Sequence, residues 1–291
     1  MKTNPRKSWQ WTITLLAVLT LILSACSTTN NPAANNGTNG NAGTSGTETA
    51  KGNLLENIKN AGVLKVGTMG TYPPYTFLNK QNEVDGFDPD IAKEVAKRLG
   101  VKAEFTTQEF SGLIPSLQTS KFDVVASQVT ITDERKQQID FSDGYITNSV
   151  KIIVNSSNND ITKLEDFKGK TIGVGLGTND ESYLRNEVLP KYGPFEIKTY
   201  NDVITSLKDL DVGRIDATIN NLYALKPLVD QNGFKIKAVG EPIKSDQPGI
   251  ALRKDNPELR DAINQALADM KSDGTYETIF KKWFGEAPPA Q

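Results

Sequence analysis

Histidine is missing from all 291 residues, and cysteine occurs once, at Cys26. Without histidine, neither a Ser-His-Asp triad nor a His-ligated zinc site is available. A single cysteine excludes an internal disulfide and a Cys cluster; no motif calls for a metal or other cofactor, and none is expected. Charge of one sign is also lacking: 33 Lys and Arg stand against 35 Asp and Glu, a net charge of −2. No basic tract follows Lys7, so nothing is built to track a phosphate backbone, and nucleic acid is not an expected partner. Beyond residue 23 no apolar run approaches the roughly 20 residues of a spanning helix. What remains is a chain with 37% hydrophobic residues, enough for a substantial core in one or two domains.

The N-terminus reads as a targeting segment. Lys2, Arg6 and Lys7 precede the apolar run ITLLAVLTLIL at 13–23, which has signal-peptide rather than membrane-span length. The run ends in Leu23-Ser24-Ala25-Cys26. This resembles a bacterial lipobox, in which the peptide at 1–25 is removed and the Cys26 thiol receives a lipid. The alternative is a signal peptide with an incidental cysteine. Two or more acyl chains, at roughly 0.8 kcal/mol per buried CH₂, would hold the chain to the outer face of the cell membrane. Residues 26–52 are Asn, Gly, Thr, Ser and Ala almost throughout, with no aromatic residue. They cannot bury enough apolar area to offset their ordering entropy, so a disordered tether is expected.

From Asn53 onward strands alternate with helices. VLKVGTM (63–69), VKAEFTTQ and FDVVAS (122–127) read as strands, and YPPYTF as an extended loop stiffened by proline. GFDPDIAKEVAKRLG (86–100) reads as a helix with Asp88 as N-cap, Pro89 at N1 and Gly100 as the stop. Later, residues 170–175, FEIKTY, IDATINN, KIKAVG and GIALR read as strands. GTNDESYLRNEV, VITSLKDLDVG, ELRDAINQALADMKSDG and TYETIFKKWFG read as helices. Such alternation implies an α/β fold with largely parallel sheets. Two blocks of similar content, 53–148 and 149–249, suggest two lobes, with a C-terminal helical pair returning to the first. Ligands of open α/β sheets sit at strand ends, here in a cleft between lobes.

Each chemical motif has a plain reading beside the functional one. GVGLGTND (173–180) does not have the spacing of a dinucleotide fingerprint, and no phosphate-binding GKS/T is present. It is either a structural turn or a helix start at Thr178 whose free N–H groups face a carboxylate. The acid pairs Asp88/Asp90 and Asp140/Asp143 read as caps and solvated surface. Tyr72 and Phe110 are either core or walls of a cleft. Arg135 follows the hydroxyls of Thr130 and Thr132, and is either a surface ion pair or a planar fork for a carboxylate.

Together GFDPDIAKEVAKRL, SQVTITDER, GVGLGTND, VGRIDATIN and DGTYETIFKKWFG resemble the family 3 extracellular solute-binding proteins of ABC transporters, from about Asn53 to Gly285. The match is nearest to the cystine-binding branch. The resemblance implies a two-lobe, type II periplasmic-binding-protein-like fold. Its lobe 1 would span 53–148 plus 250–285 and its lobe 2 149–249, with hinge strands near 146–151 and 247–252 and a tail at 286–291. It implies that Arg135 grips a ligand α-carboxylate with help from Thr130. It further implies that the Gln128 carbonyl accepts from the α-ammonium, that Tyr72 and Phe110 wall the side chain, and that Thr178, Asn179 and Asp180 approach from lobe 2. The implied partners are a polar amino acid such as cystine, an ABC permease and its ATPase, with the binding protein itself a monomer. Two departures concern specificity. Met69 stands where relatives often carry an acid. Asn221 stands where the family usually places an Asp for the ammonium, which keeps an acceptor but loses a charge-assisted bond. An enzyme of the dehydratase kind on the same lobes, with Asp180 as acid–base group, and a tethered sensor are the other readings.

Overall fold

The computed structural model describes residues 53–289. The expected signal peptide at 1–25, the expected lipid site at Cys26 and the expected tether at 26–52 lie outside the described residues. No described helix is long and apolar enough to cross a membrane.

Two five-stranded sheets carry the fold. The first runs Lys102–Thr107, Val63–Thr68, Val124–Val125, Gly249–Leu252, Asp140–Gly144. The second runs Glu196–Tyr200, Thr171–Gly175, Ala217–Asn221, Asn148–Asn155, Ile236–Asp246. In each, the first three strands are parallel and the last two join antiparallel. The expected largely parallel sheets are thus evenly mixed. The reason is the crossing between them. The chain leaves the first sheet at Gly144 and enters the second at Asn148, then returns from Asp246 to Gly249. Gly144 pairs with Gly249 and Asn148 with Asp246, so the two passages lie side by side as a double hinge. The Tyr145 N–H donates to the Pro248 carbonyl between them at 3.0 Å.

The helix Phe87–Leu99 shows how local sequence positions a site. Phe87, Ile91, Val95 and Leu99, with Ala92 and Ala96, form its buried stripe, at the spacing of one helical face. Gly100 stops it in the left-handed conformation, φ 81°. Asp88 is not the cap. That position belongs to Gly86, at φ 133°, where a Cβ would lie 2.3 Å from the Tyr75 carbonyl oxygen. The close approach lets the carbonyls of Pro74 and Tyr75 accept from the N–H groups of Phe87 and Asp88, at 3.0 and 2.9 Å. Orphan donors of the first turn are satisfied in this way without a side-chain cap. Asp88 is left wholly buried inside the first turn.

YPPYTF is likewise more than a loop. Thr71–Tyr72, Thr76–Leu78 and Val84–Asp85 form a small antiparallel sheet around the two prolines. The helices Pro257–Ser272 and Thr275–Phe284 close the first lobe. Arg98 meets Asp273 at 2.7 Å, and Lys282 and Trp283 both reach Asp90 at 2.6 and 2.8 Å. Phe87 packs on Phe280 and Phe284 with ring centroids 5.9 and 5.0 Å apart. Truncating such a buried ring to alanine costs about 3–5 kcal/mol. Leu222–Asn232 is a helix that the periodicity reading does not reach, because Pro227 interrupts the pattern.

Candidate ligand cleft

The strand ends of the two sheets face each other across a cavity of about 90 Å³. Met69, Tyr72, Phe110, Ser127, Gln128 and Thr130 line it from one side. Thr178, Asn179, Asp180, Tyr200, Ser206, Asn220, Asn221 and Asp246 line it from the other. Eight of the nine sequence-predicted ligand residues are among them. The ninth, Arg135, lines the adjoining, more open part of the cleft together with Thr130, Asn179, Lys244 and Asp246.

Arg135 sits in the short helix Asp133–Lys136, capped by Thr132, whose hydroxyl accepts from the Arg135 N–H at 3.2 Å. The guanidinium is buried. Its Nη1 donates to the Thr130 carbonyl at 2.9 Å and its Nη2 to the Gly177 carbonyl, from the opposite lobe, at 3.2 Å. It also lies over the Phe110 ring, 5.5 Å from the centroid. Burial pulls its pKa down, while Asp180 and Asp246 act in the other direction. Gly177 has φ +74°, and a Cβ there would press to 3.1 Å on Ser111 of the facing lobe. A side chain there would be strained by the positive φ and would need Ser111 to give by a few tenths of an ångström.

At Thr178 the expected cap is present. Its Oγ1 accepts from the Glu181 N–H at 3.1 Å. The Glu181 carboxylate reaches back to the Gly177 N–H at 2.7 Å, one residue earlier than a capping box requires. Asp180 follows on this turn and pairs with Lys244 at 2.7 Å, and Lys244 also meets Asp246 at 3.1 Å. Asn179 Nδ2 donates to the other Asp246 oxygen at 3.0 Å. Burial raises the Asp180 pKa against the opposing pull of Lys244. Burial lowers the Lys244 pKa, but the two carboxylates more than offset it and the net shift is upward.

The other end carries no charge. The Tyr72 hydroxyl donates to Asn220 Oδ1 at 2.6 Å and accepts from Asn221 Nδ2 at 3.3 Å. Burial, then the Asp180 charge, raise the Tyr72 pKa, which keeps it a phenol. Asn221 Oδ1 is buried and has no partner among the described residues. Gln128 lines the floor in a left-handed conformation, φ +52°.

Sequence reasoning missed Lys244, Asp246, Asn220 and Ser206. Lys244 and Asp246 belong to the strand Ile236–Asp246 and carry no motif. Asn220 could have been found, since it is the immediate neighbour of Asn221 at a strand's C-terminal end. Among the described residues no group of His, Cys, Asp and Glu side chains is placed to hold a metal. The arrangement can bind a small zwitterion: a cation and acceptors at opposite ends, aromatic walls, and donors from both lobes.

Comparison with known proteins supports the two-lobe reading of the fold. A family model described as bacterial extracellular solute-binding proteins, family 3, matches residues 64–286. The chain is 40% identical over 233 residues to the L-cystine-binding protein TcyJ of Escherichia coli (strain K12), covering 80% of this chain and 86% of that one. It superposes on a solved structure of an ancestral arginine-binding protein bound to arginine with TM-score 0.73 and 44% identity, over 77% of this chain and 99% of that one. A second solved structure is an ancestral amino-acid-binding protein described as a precursor of cyclohexadienyl dehydratase. It gives TM-score 0.72 and 38% identity, over 79% and 99% of the two chains.

Proposed function

This chain belongs to the bacterial extracellular solute-binding proteins of family 3, and on that premise we propose that it captures a polar amino acid outside the cell and delivers it to an ABC permease and its ATPase. The observation that carries the proposal is Arg135, a buried guanidinium at the cleft with contacts to both lobes. Such a fork matches a carboxylate in charge and planarity. Thr130, Thr178, Asn179 and Asp180 surround that end of the ligand. Tyr72 and Phe110 wall its side chain, and the Gln128 carbonyl and Asn221 Oδ1 accept from its ammonium. Lobe 1 (53–148 plus 250–285) and lobe 2 (149–249) close on the ligand about the double hinge, because contacts from both favour the closed form.

Cystine is the first candidate ligand, supported by the 40% identity to a protein named for L-cystine. The arginine-binding neighbour makes a basic amino acid the second. Calorimetry against the proteinogenic L-amino acids and L-cystine decides. Micromolar or tighter binding of one or a few is expected. Silence across the panel would overturn the reading.

The chain acts as a binding protein rather than an enzyme. A dehydratase needs a group that hands over a proton at the ligand, and the obvious one, Asp180, is tied to Lys244 at 2.7 Å. The working form is a monomer, released of its 1–25 peptide and held to the extracellular face of the cell membrane through lipid on Cys26 and the 26–52 tether. Cys26→Ser should move it from the membrane fraction to the medium.

A further inference from the structure

Behind the neutral end of the cleft lies a buried carboxylate that the amino-acid reading does not use. Asp88 is 0% exposed, and its Oδ1 accepts from Gln128 Nε2 at 2.7 Å and from the Tyr145 hydroxyl at 3.0 Å. Gln128 Oε1 in turn accepts from Asn148 Nδ2 at 2.8 Å, and Asn148 Oδ1 accepts from the Tyr75 hydroxyl at 2.8 Å. Every donor in this chain points the same way, toward Asp88. Asp88 Oδ2 finds no partner among the described residues. The groups facing it are Gln128 from the cleft floor, Tyr145 from the hinge, and Tyr75 and Tyr72 from the small sheet. No lysine or arginine bonds it among the described residues.

A carboxylate buried without a cation is costly. Its place in the first turn of Phe87–Leu99 supplies only the partial positive charge of the helix end. Gln128 is the residue through which the cost would be recovered. It is a non-glycine residue at φ +52°, a conformation that persists only where the surroundings hold it. Here its side chain is held at both ends, by Asp88 and by Asn148, while the residue itself forms the cleft floor.

We infer that Asp88 is the buried counter-charge for the ligand's ammonium group, acting through Gln128 as a positioning residue, in a chain whose cleft carries Asn221 at the ammonium end. The inference rests on the amino-acid reading above. Asp88 fixes the side chain of Gln128, which aims the carbonyl, and its own charge attracts the cation beyond. Burial also holds its pKa up at about 7, with Gln128 and Tyr145 opposing. Because the folded value is raised, the unbound fold keeps a proton there that the unfolded chain has released. That contribution to stability is lost as pH rises from the unfolded value toward about 7. An ammonium in the cleft favours the ionised form, so binding strengthens as pH rises through the same window.

The test uses the tightest-binding amino acid from the panel, titrated by calorimetry at several pH values from 5 to 7.5, below the titration of its own ammonium. Wild-type affinity should rise about tenfold across that range. Asp88→Asn should bind about tenfold more weakly at pH 7.5 and give a flat profile, whereas Asp261→Asn, at an exposed position away from the cleft, should keep the slope. Carbon NMR of aspartate-labelled wild-type protein gives a readout that needs no variant. The Asp88 pKa should fall by about one unit on saturation, the reciprocal of a tenfold affinity change. Binding whose pH slope survives in Asp88→Asn, or an Asp88 pKa that ligand does not move, overturns the inference alone. Failure of every amino acid to bind overturns the reading beneath it and the inference with it.

Discussion

The two ends of the cleft are built on opposite principles. At one end Arg135, Asp180, Lys244 and Asp246 are packed together, two cations and two anions, each engaged by another or by backbone. At the other, Tyr72, Asn220 and Asn221 exchange neutral hydrogen bonds. The charged end is expensive to desolvate and depends on every partner being present. The neutral end has an unpartnered acceptor, Asn221 Oδ1, and the buried Asp88 lies behind it, beyond Gln128. Affinity is therefore expected to come mainly from the charged end, with the neutral end adjusting which ammonium-bearing ligand is accepted.

Replacing residues at each end should expose the difference. Arg135→Ala removes the fork and should weaken amino-acid binding by about 2 kcal/mol or more, roughly thirtyfold. Calorimetry on folded variant checks it, and unchanged affinity would remove the charged end from the site. Lys244→Ala strands two carboxylates that are largely buried, and should lower unfolding stability by about 2 kcal/mol. Urea unfolding at pH 7 measures this. The loss should shrink under acid as the Asp180 carboxyl, already raised by burial, takes up its proton. Tyr72→Phe deletes one hydroxyl that joins the lobes, a change of about 1 kcal/mol. X-ray scattering of the ligand-free variant should then show a more open average shape than wild type. Asn221→Asp should act in the opposite sense, tightening binding of ordinary α-amino acids by up to about 1 kcal/mol. A weakening would mean that the ligand places no ammonium beside residue 221.

The charged end was also the more legible in sequence. SQVTITDER spells out Arg135, its Thr132 cap and Thr130 within nine residues, because a strand end and a short helix bring neighbours in sequence together in space. GVGLGTND does the same for Thr178 and Asp180. Lys244 and Asp246 come to that turn from a separate strand, and pairings of that kind leave no local pattern. The alternation of strands and helices revealed the α/β class, but not the mixed sheets, since the antiparallel members arise from the double crossing. Asp88 is the most instructive miss. An Asp before Pro at a helix start reads as a cap, yet Gly86 allows the Tyr75 backbone in so close that the cap lies two residues earlier and the carboxylate turns inward.

A crystal structure with the tightest-binding amino acid tests the account most directly. It should place the ligand carboxylate about 3 Å from the Arg135 guanidinium, with the ammonium against the Gln128 carbonyl and Asn221. A ligand seated the other way round, with its carboxylate at Tyr72, Asn220 and Asn221, would contradict it.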